Sequence, residues 1–98
     1  MSVPTMTEKD LQATVEQCAT LLGWRIHHHW ISIRSSPGWP DLVLVRPPRL
    51  MVVELKRDGV TPTPAQQEWL DDLAACGVDV RIWRPAGWLS GAIERELR

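Results

Sequence analysis

Two apolar runs stand out in the middle of the chain, Leu42-Val43-Leu44-Val45 and Leu50-Met51-Val52-Val53, with Arg46-Pro47-Pro48-Arg49 between them. Both are short and rich in aliphatic and β-branched residues, the mark of strands rather than helices. The tight connection predicts an antiparallel hairpin, with strands over 42–46 and 50–56. Nearly continuous apolar character predicts cover on both faces, as in the centre of an α/β sheet. Upstream, Leu11, Val15, Cys18 and Leu22 recur at helical spacing, which predicts a helix over 7–22 with Thr7 as N-cap and Gly23 as its stop. Residues 24–34, WRIHHHWISIR, alternate in part and predict a strand bent in the middle. Residues 35–40, SSPGWP, read as a loop.

Downstream, residues 63–76 predict a second helix with Ala65, Trp69, Leu73 and Cys76 inward. Its opening T-P-A-Q places Thr63 at the N-cap, Pro64 at N1 and Gln66 at N3, a capping box. Gly77 ends it. Val78, Val80 and Ile82 alternate in a last strand over 78–83, and a short helix follows at about 87–97. The order is α-β-β-β-α-β plus a terminal helix: an α/β fold with a mixed central sheet flanked by helices. Without repeats or low-complexity tracts, residues 1–98 read as one domain.

Three ionisable residues break this pattern. Asp41 opens the first apolar run, and Glu54 and Lys56 close the second. Residues two apart in a strand share a face, so Glu54 and Lys56 point one way and Leu55 the other. The hairpin then brings Asp41, at the start of one strand, beside Glu54, at the end of the next. Two close carboxylates repel unless a cation lies between them. Mg²⁺ suits such a pair, because it takes one or two protein carboxylates, keeps waters and uses phosphate oxygens for the rest. Lys56 beside the pair can orient a nucleophilic water or neutralise charge building on phosphorus. A lone E-x-K is more often a surface ion pair with the Asp as a turn cap; at the ends of two buried strands that simpler reading loses ground.

These residues resemble a known family. Pro40-Asp41, with Glu54-Leu55-Lys56 beginning thirteen positions after Asp41, is similar to the PD-(D/E)xK nuclease superfamily with its restriction-endonuclease-like core. More narrowly, G-W-P-D-L-V-L-V, V-V-E-L-K, T-P-A-Q-Q-E-W-L and A-A-C-G-V-D-V resemble the virus-type replication–repair nuclease domain, VRR-NUC, over about residues 7–84. The resemblance implies divalent-metal-dependent (Mg²⁺ or Mn²⁺) cleavage of DNA to a 5′-phosphate. For a stand-alone domain it implies a homodimer acting on branched DNA, a Holliday junction or a flap. It makes Asp41 and Glu54 metal ligands, the Leu55 carbonyl a further ligand and Lys56 the catalytic lysine. Gln66 matches the family's motif glutamine, although helix capping alone accounts for a Gln at N3. The family also uses an acidic residue on the first helix. Glu8 lies nearer the apolar stripe than Glu16 and is preferred over Gln12 and Glu16, yet an acid at N1 also serves the helix dipole.

Arg34, Ser36 and Arg57 flank the motif and are candidate contacts to DNA phosphates. His27, His28 and His29 suit the DNA side of the sheet better than a transition-metal site, since no carboxylate lies near them in sequence. Trp69 and Trp83 read as core, Trp39 as a platform for an unpaired base, and Trp88 as a dimer contact. The net charge of -1 gives no global basic signature, which keeps open a rival reading: a non-catalytic DNA-binding or assembly module with a nuclease-like fold. Complete retention of Asp41, Glu54 and Lys56 favours the enzyme. Cys18 and Cys76, without a CxxC, read as reduced core thiols. No signal peptide and no run approaching the ~18 apolar residues of a membrane span occurs. The expectation is therefore a cytoplasmic protein, and the family's name suggests a phage or bacterial setting.

Overall fold

The computed structural model describes residues 6–29 and 37–98. Helix α1 (Glu8–Leu21) begins where Thr7 Oγ1 accepts from the Asp10 amide and the Asp10 carboxylate accepts from the Thr7 amide. Strands β1 (Arg25–His28), β2 (Leu42–Arg46) and β3 (Arg49–Leu55) follow, then α2 (Pro64–Ala75), β4 (Asp79–Trp83), α3 (Pro85–Leu89) and α4 (Ala92–Leu97). The sheet order is β1-β2-β3-β4, with the first three strands antiparallel and β4 parallel to β3. Crossing back to a parallel partner requires a long connection, which α2 supplies.

The β2–β3 hairpin pairs Leu42 with Val53, Leu44 with Met51 and Arg46 with Arg49. One face of the sheet carries Leu42, Leu44, Met51, Val53, Leu55 and Trp83, packed against Leu11, Val15 and Ala19 of α1 and Ile93 and Leu97 of α4. The other face receives α2, whose buried side chain is Leu70. Leu55 therefore sits in one layer while its neighbours Glu54 and Lys56 face the other, as period-two alternation requires.

Several expectations need correction. The stripe of α1 is centred on Leu11, Val15 and Ala19, leaving Cys18 and Leu22 half-buried. On α2, Leu70 is the buried contact, Ala65, Trp69 and Leu73 are half-buried, and Cys76 is an exposed C-cap. The reason is that α2 meets the sheet along a narrow line and turns its first turns toward the loop before Asp41. Trp69 is accordingly not a core residue, while Trp83 is. Among the described strands only the 51–55 stretch of β3 is buried on both faces; Val43 and Val45 of β2 are half-buried, and Leu50, near the start of β3, is exposed. The terminal helix is two short helices, separated at Gly91 with φ 82°. Trp88 packs against the core, so its ring is partly spent within the chain. The strand expected over 24–34 is seen as β1, and its second half lies outside the described residues.

The hairpin end of the sheet is held by arginines. Arg46 donates to the Leu22 carbonyl at 2.9 Å and the Arg98 carbonyl at 2.8 Å, and Arg49 donates to the Glu96 carbonyl at 2.8 Å. Both guanidiniums lie over the Trp24 ring, at 4.6 and 4.9 Å from its centroid. The Trp24 indole donates to the Leu97 carbonyl at 2.8 Å. These bonds satisfy carbonyls that the ends of α1 and α4 leave open. Arg46→Met is expected to lower unfolding free energy by about 2 kcal/mol, read as a shift in the urea midpoint without a change in slope.

Candidate active site

At the opposite end of the sheet, β2 begins and β3 ends side by side. Asp41 precedes β2, and its Oδ2 accepts from the Leu55 amide at 2.8 Å. Its backbone is fixed as well, because the Asp41 carbonyl accepts from the His29 amide at 2.8 Å. Glu54 is 1% exposed and Lys56 8%, and Lys56 Nζ lies 3.1 Å from Glu54 Oε2. The Lys56 amide bonds to the Trp83 carbonyl at 3.0 Å, which extends the sheet ladder to the lysine. Glu54 Oε1 is buried and accepts no hydrogen bond from any of the described residues. A buried, unpartnered carboxylate oxygen is costly and demands an explanation.

The electrostatics agree with the geometry. Burial, then the neighbouring Asp41 carboxylate, push the Glu54 pKa up to about 7, against the opposing pull of Lys56. Two carboxylates brought close disfavour each other's charge. Hard divalent cations are held by such oxygen donors and offset that repulsion. The residues present therefore fit a divalent ion between Asp41 and Glu54, with the orphaned Glu54 oxygen as a natural donor.

The remaining candidates are dispersed. Gln66 Oε1 accepts from the Thr63 amide at 2.9 Å and the Gln66 amide donates to Thr63 Oγ1 at 3.2 Å, so the capping box is formed. On α1, Gln12 Nε2 donates to Glu16 Oε2 at 3.0 Å and lies 3.0 Å from the ring nitrogens of His28. His28 thus faces α1, while His27 and His29 take the other face with Asp41. Glu8 is half-buried, one turn N-terminal to Gln12 and nearer the Asp41 end of the sheet. Among the described residues no three His, Cys, Asp or Glu side chains gather as a ready metal cage. Arg57 is exposed just past β3. Arg34 and Ser36 lie outside the described residues. The Trp39 ring meets Trp69 edge-on, with centroids 5.0 Å apart, and is not an open stacking platform on that side.

Sequence reasoning passed over Gly38 and assigned Trp69 to the core. The signal was a Gly-Trp-Pro run before Asp41 and a Trp three residues beyond Gln66, which the chain brings together.

Stability should follow pH through the carboxylate pair. Glu54 has a folded pKa of about 7 against an ordinary 4.5, so the folded state binds more protons than the unfolded one between those values. Stability is then greatest below the lower value and is lost as pH rises through the upper one. In metal-free protein, Asp41→Asn should flatten this fall between about pH 5 and 8, measured as the difference in Tm from wild type at each pH.

Comparison with known proteins places this arrangement. The VRR-NUC domain family matches residues 3–86. A solved structure titled as a VRR_NUC domain protein superposes with a TM-score of 0.74 at 23% identity, covering 97% of this chain and 93% of that one. A second, titled as a VRR_NUC domain, has a TM-score of 0.74 at 24% identity, covering 89% and 94%. At these identities the structures attest the fold. No curated protein matches the sequence. The match over most of the chain, on the fold just described, shows that the protein belongs to the VRR-NUC domain family and so to a nuclease type.

Proposed function

We propose that the protein is a divalent-metal-dependent DNA endonuclease. The observation that carries this reading is the buried Glu54 carboxylate, pressed against Asp41 with one oxygen unpartnered and Lys56 3.1 Å from the other. Asp41 and Glu54 would hold Mg²⁺ or Mn²⁺, with the Leu55 carbonyl as a further donor. When bound, such an ion activates water and stabilises negative charge on a phosphodiester.

The chain's own residues do the rest. The Leu55 amide fixes one Asp41 oxygen. Lys56 is buried and held by Glu54, so its ammonium is aimed before substrate arrives, which lowers the reorganisation needed at the transition state. It orients the attacking water or neutralises charge on the phosphoryl oxygens. Gln66 can turn its amide nitrogen toward the phosphate while its oxygen caps α2. Glu8 would act from the neighbouring end of α1. Arg34, Ser36 and Arg57 would supply phosphate contacts from loops around the site.

A homodimer offering two sites to branched DNA, a junction or a flap, completes the proposal. The exposed Leu21 and Leu89 give the surface apolar points that such an association could cover. Among the described residues no helix is long and apolar enough to cross a membrane.

Labelled duplex, flap, single-stranded and four-way-junction DNA should be cut with Mg²⁺ or Mn²⁺ and spared in excess chelator. Asp41→Asn and Lys56→Ala should each lower the rate by about 10²-fold or more with DNA binding retained. Binding without cleavage by wild type, with either metal, would instead establish a non-catalytic module. Gln66→Glu separates the two roles at that position, because Glu caps an N3 position as well as Gln does. Unchanged Tm with lost cleavage is the expected outcome; unchanged cleavage would reduce Gln66 to a cap.

A further inference from the structure

Three contacts tie the segment before Asp41 to the start of α2. The Trp69 indole N–H donates to the Pro37 carbonyl at 3.1 Å. Trp39 and Trp69 meet edge to face, with planes at 78°, a favourable arrangement of ring quadrupoles. Gly38 has φ 90°, and a Cβ there would stand 2.6 Å from the Ala65 carbonyl carbon and oxygen and 2.8 Å from the Gln66 nitrogen. Both the dihedral and the close approach exclude a side chain. Pro40 is buried and restricts the next step of the chain. Asp41 follows at once and reaches the Leu55 amide.

Packing against the sheet does not account for Trp69. The ring is half-buried, and Leu70 is the side chain that α2 buries. Trp69 instead spends its ring and its N–H on residues 39 and 37.

We propose that Gly38 and Trp69 form a clamp that positions Asp41 at the Leu55 amide and fixes its place relative to the Gln66 end of α2. Both are positioning residues, acting on the reaction through Asp41. The inference rests on the reading of Asp41 as a working carboxylate. Its physical content is that the spacing between Asp41 and α2 is set by backbone contact, with no side chain between to yield. Displacements on the order of 1 Å at a reacting centre are enough to cost much of the rate.

The Leu55 amide is the reporter, because it donates to the Asp41 carboxylate. Hydrogen exchange would be followed by NMR in metal-free wild type, Trp69→Leu and Trp69→Phe. In Trp69→Leu, Leu55 should exchange roughly tenfold faster while Val52 and Val53 keep their wild-type rates. Trp69→Phe keeps a ring but loses the donor, and should show a smaller acceleration at the same amide. With DNA, Trp69→Leu should lose about tenfold in kcat with KM within about twofold.

Unchanged Leu55 exchange in Trp69→Leu would overturn the clamp. So would acceleration spread evenly along β3, which marks a loss of global stability alone, or an unchanged kcat in a variant whose Leu55 exchanges faster. Should Trp69→Leu fail to fold, Trp69→Phe decides by the same criterion. Exchange is read without metal or substrate. A protein that cuts nothing would therefore sink the nuclease reading, while unchanged exchange in an active nuclease would sink only the clamp.

Discussion

The register between β2 and β3 places the two carboxylates. Leu42 faces Val53 across the ladder, so the residue before Leu42 and the residue after Val53, Asp41 and Glu54, arrive at the same corner on the same face. A slip of one residue would turn every side chain of one strand to the other layer. A slip of β3 would take Met51 and Val53 out of the core and turn Glu54 and Lys56 into it, away from Asp41. The core therefore enforces the register, and the register enforces the site. That is why the acidic residues can sit in a region where burial opposes their charge: they are carried there by the apolar residues between them.

The two ends of the hairpin do opposite work. At the Pro47-Pro48 end, Arg46 and Arg49 find carbonyls and the Trp24 face for their guanidinium groups, so charge is well satisfied there. At the other end Glu54 is left with an unpartnered oxygen and a raised pKa. Local dissatisfaction of this kind persists only where the surroundings over-determine it, and it tends to mark function. Arginine ties and a shared aliphatic core at one end hold the sheet so that the other end can keep its carboxylates close, with Lys56 as their cation among the described residues.

Much of the fold was legible because the signals were local. The Leu-Val alternation, the T-P-A-Q capping box and the glycines after α1 and α2 each act within a few residues of where they stand. The apposition of Asp41 and Glu54 was legible too, since a tight hairpin makes a distant pair into neighbours. What was not legible depended on which helix lies where. Trp69 looks like a core residue by its spacing from Ala65 and Leu73, and only the placement of α2 beside the Gly38 loop gives its indole another task. Cys76 was assigned inward by the same periodicity and is exposed because the helix ends before it returns to the sheet. For Glu8 against Gln12 and Glu16, the helix angle alone ranks them, while the choice depends on how far α1 reaches past His28.

The ladder bond from the Lys56 amide to the Trp83 carbonyl draws a sharp boundary along the chain. Up to Lys56 the backbone belongs to the sheet and residues 51–56 are all buried; from Arg57 to Val60 the chain is exposed. The connection to α2 is anchored elsewhere, with the Asp58 carboxylate accepting from the Ala86 amide and the Val60 carbonyl from Arg84, so a change in its length meets the start of α3 before it meets the lysine.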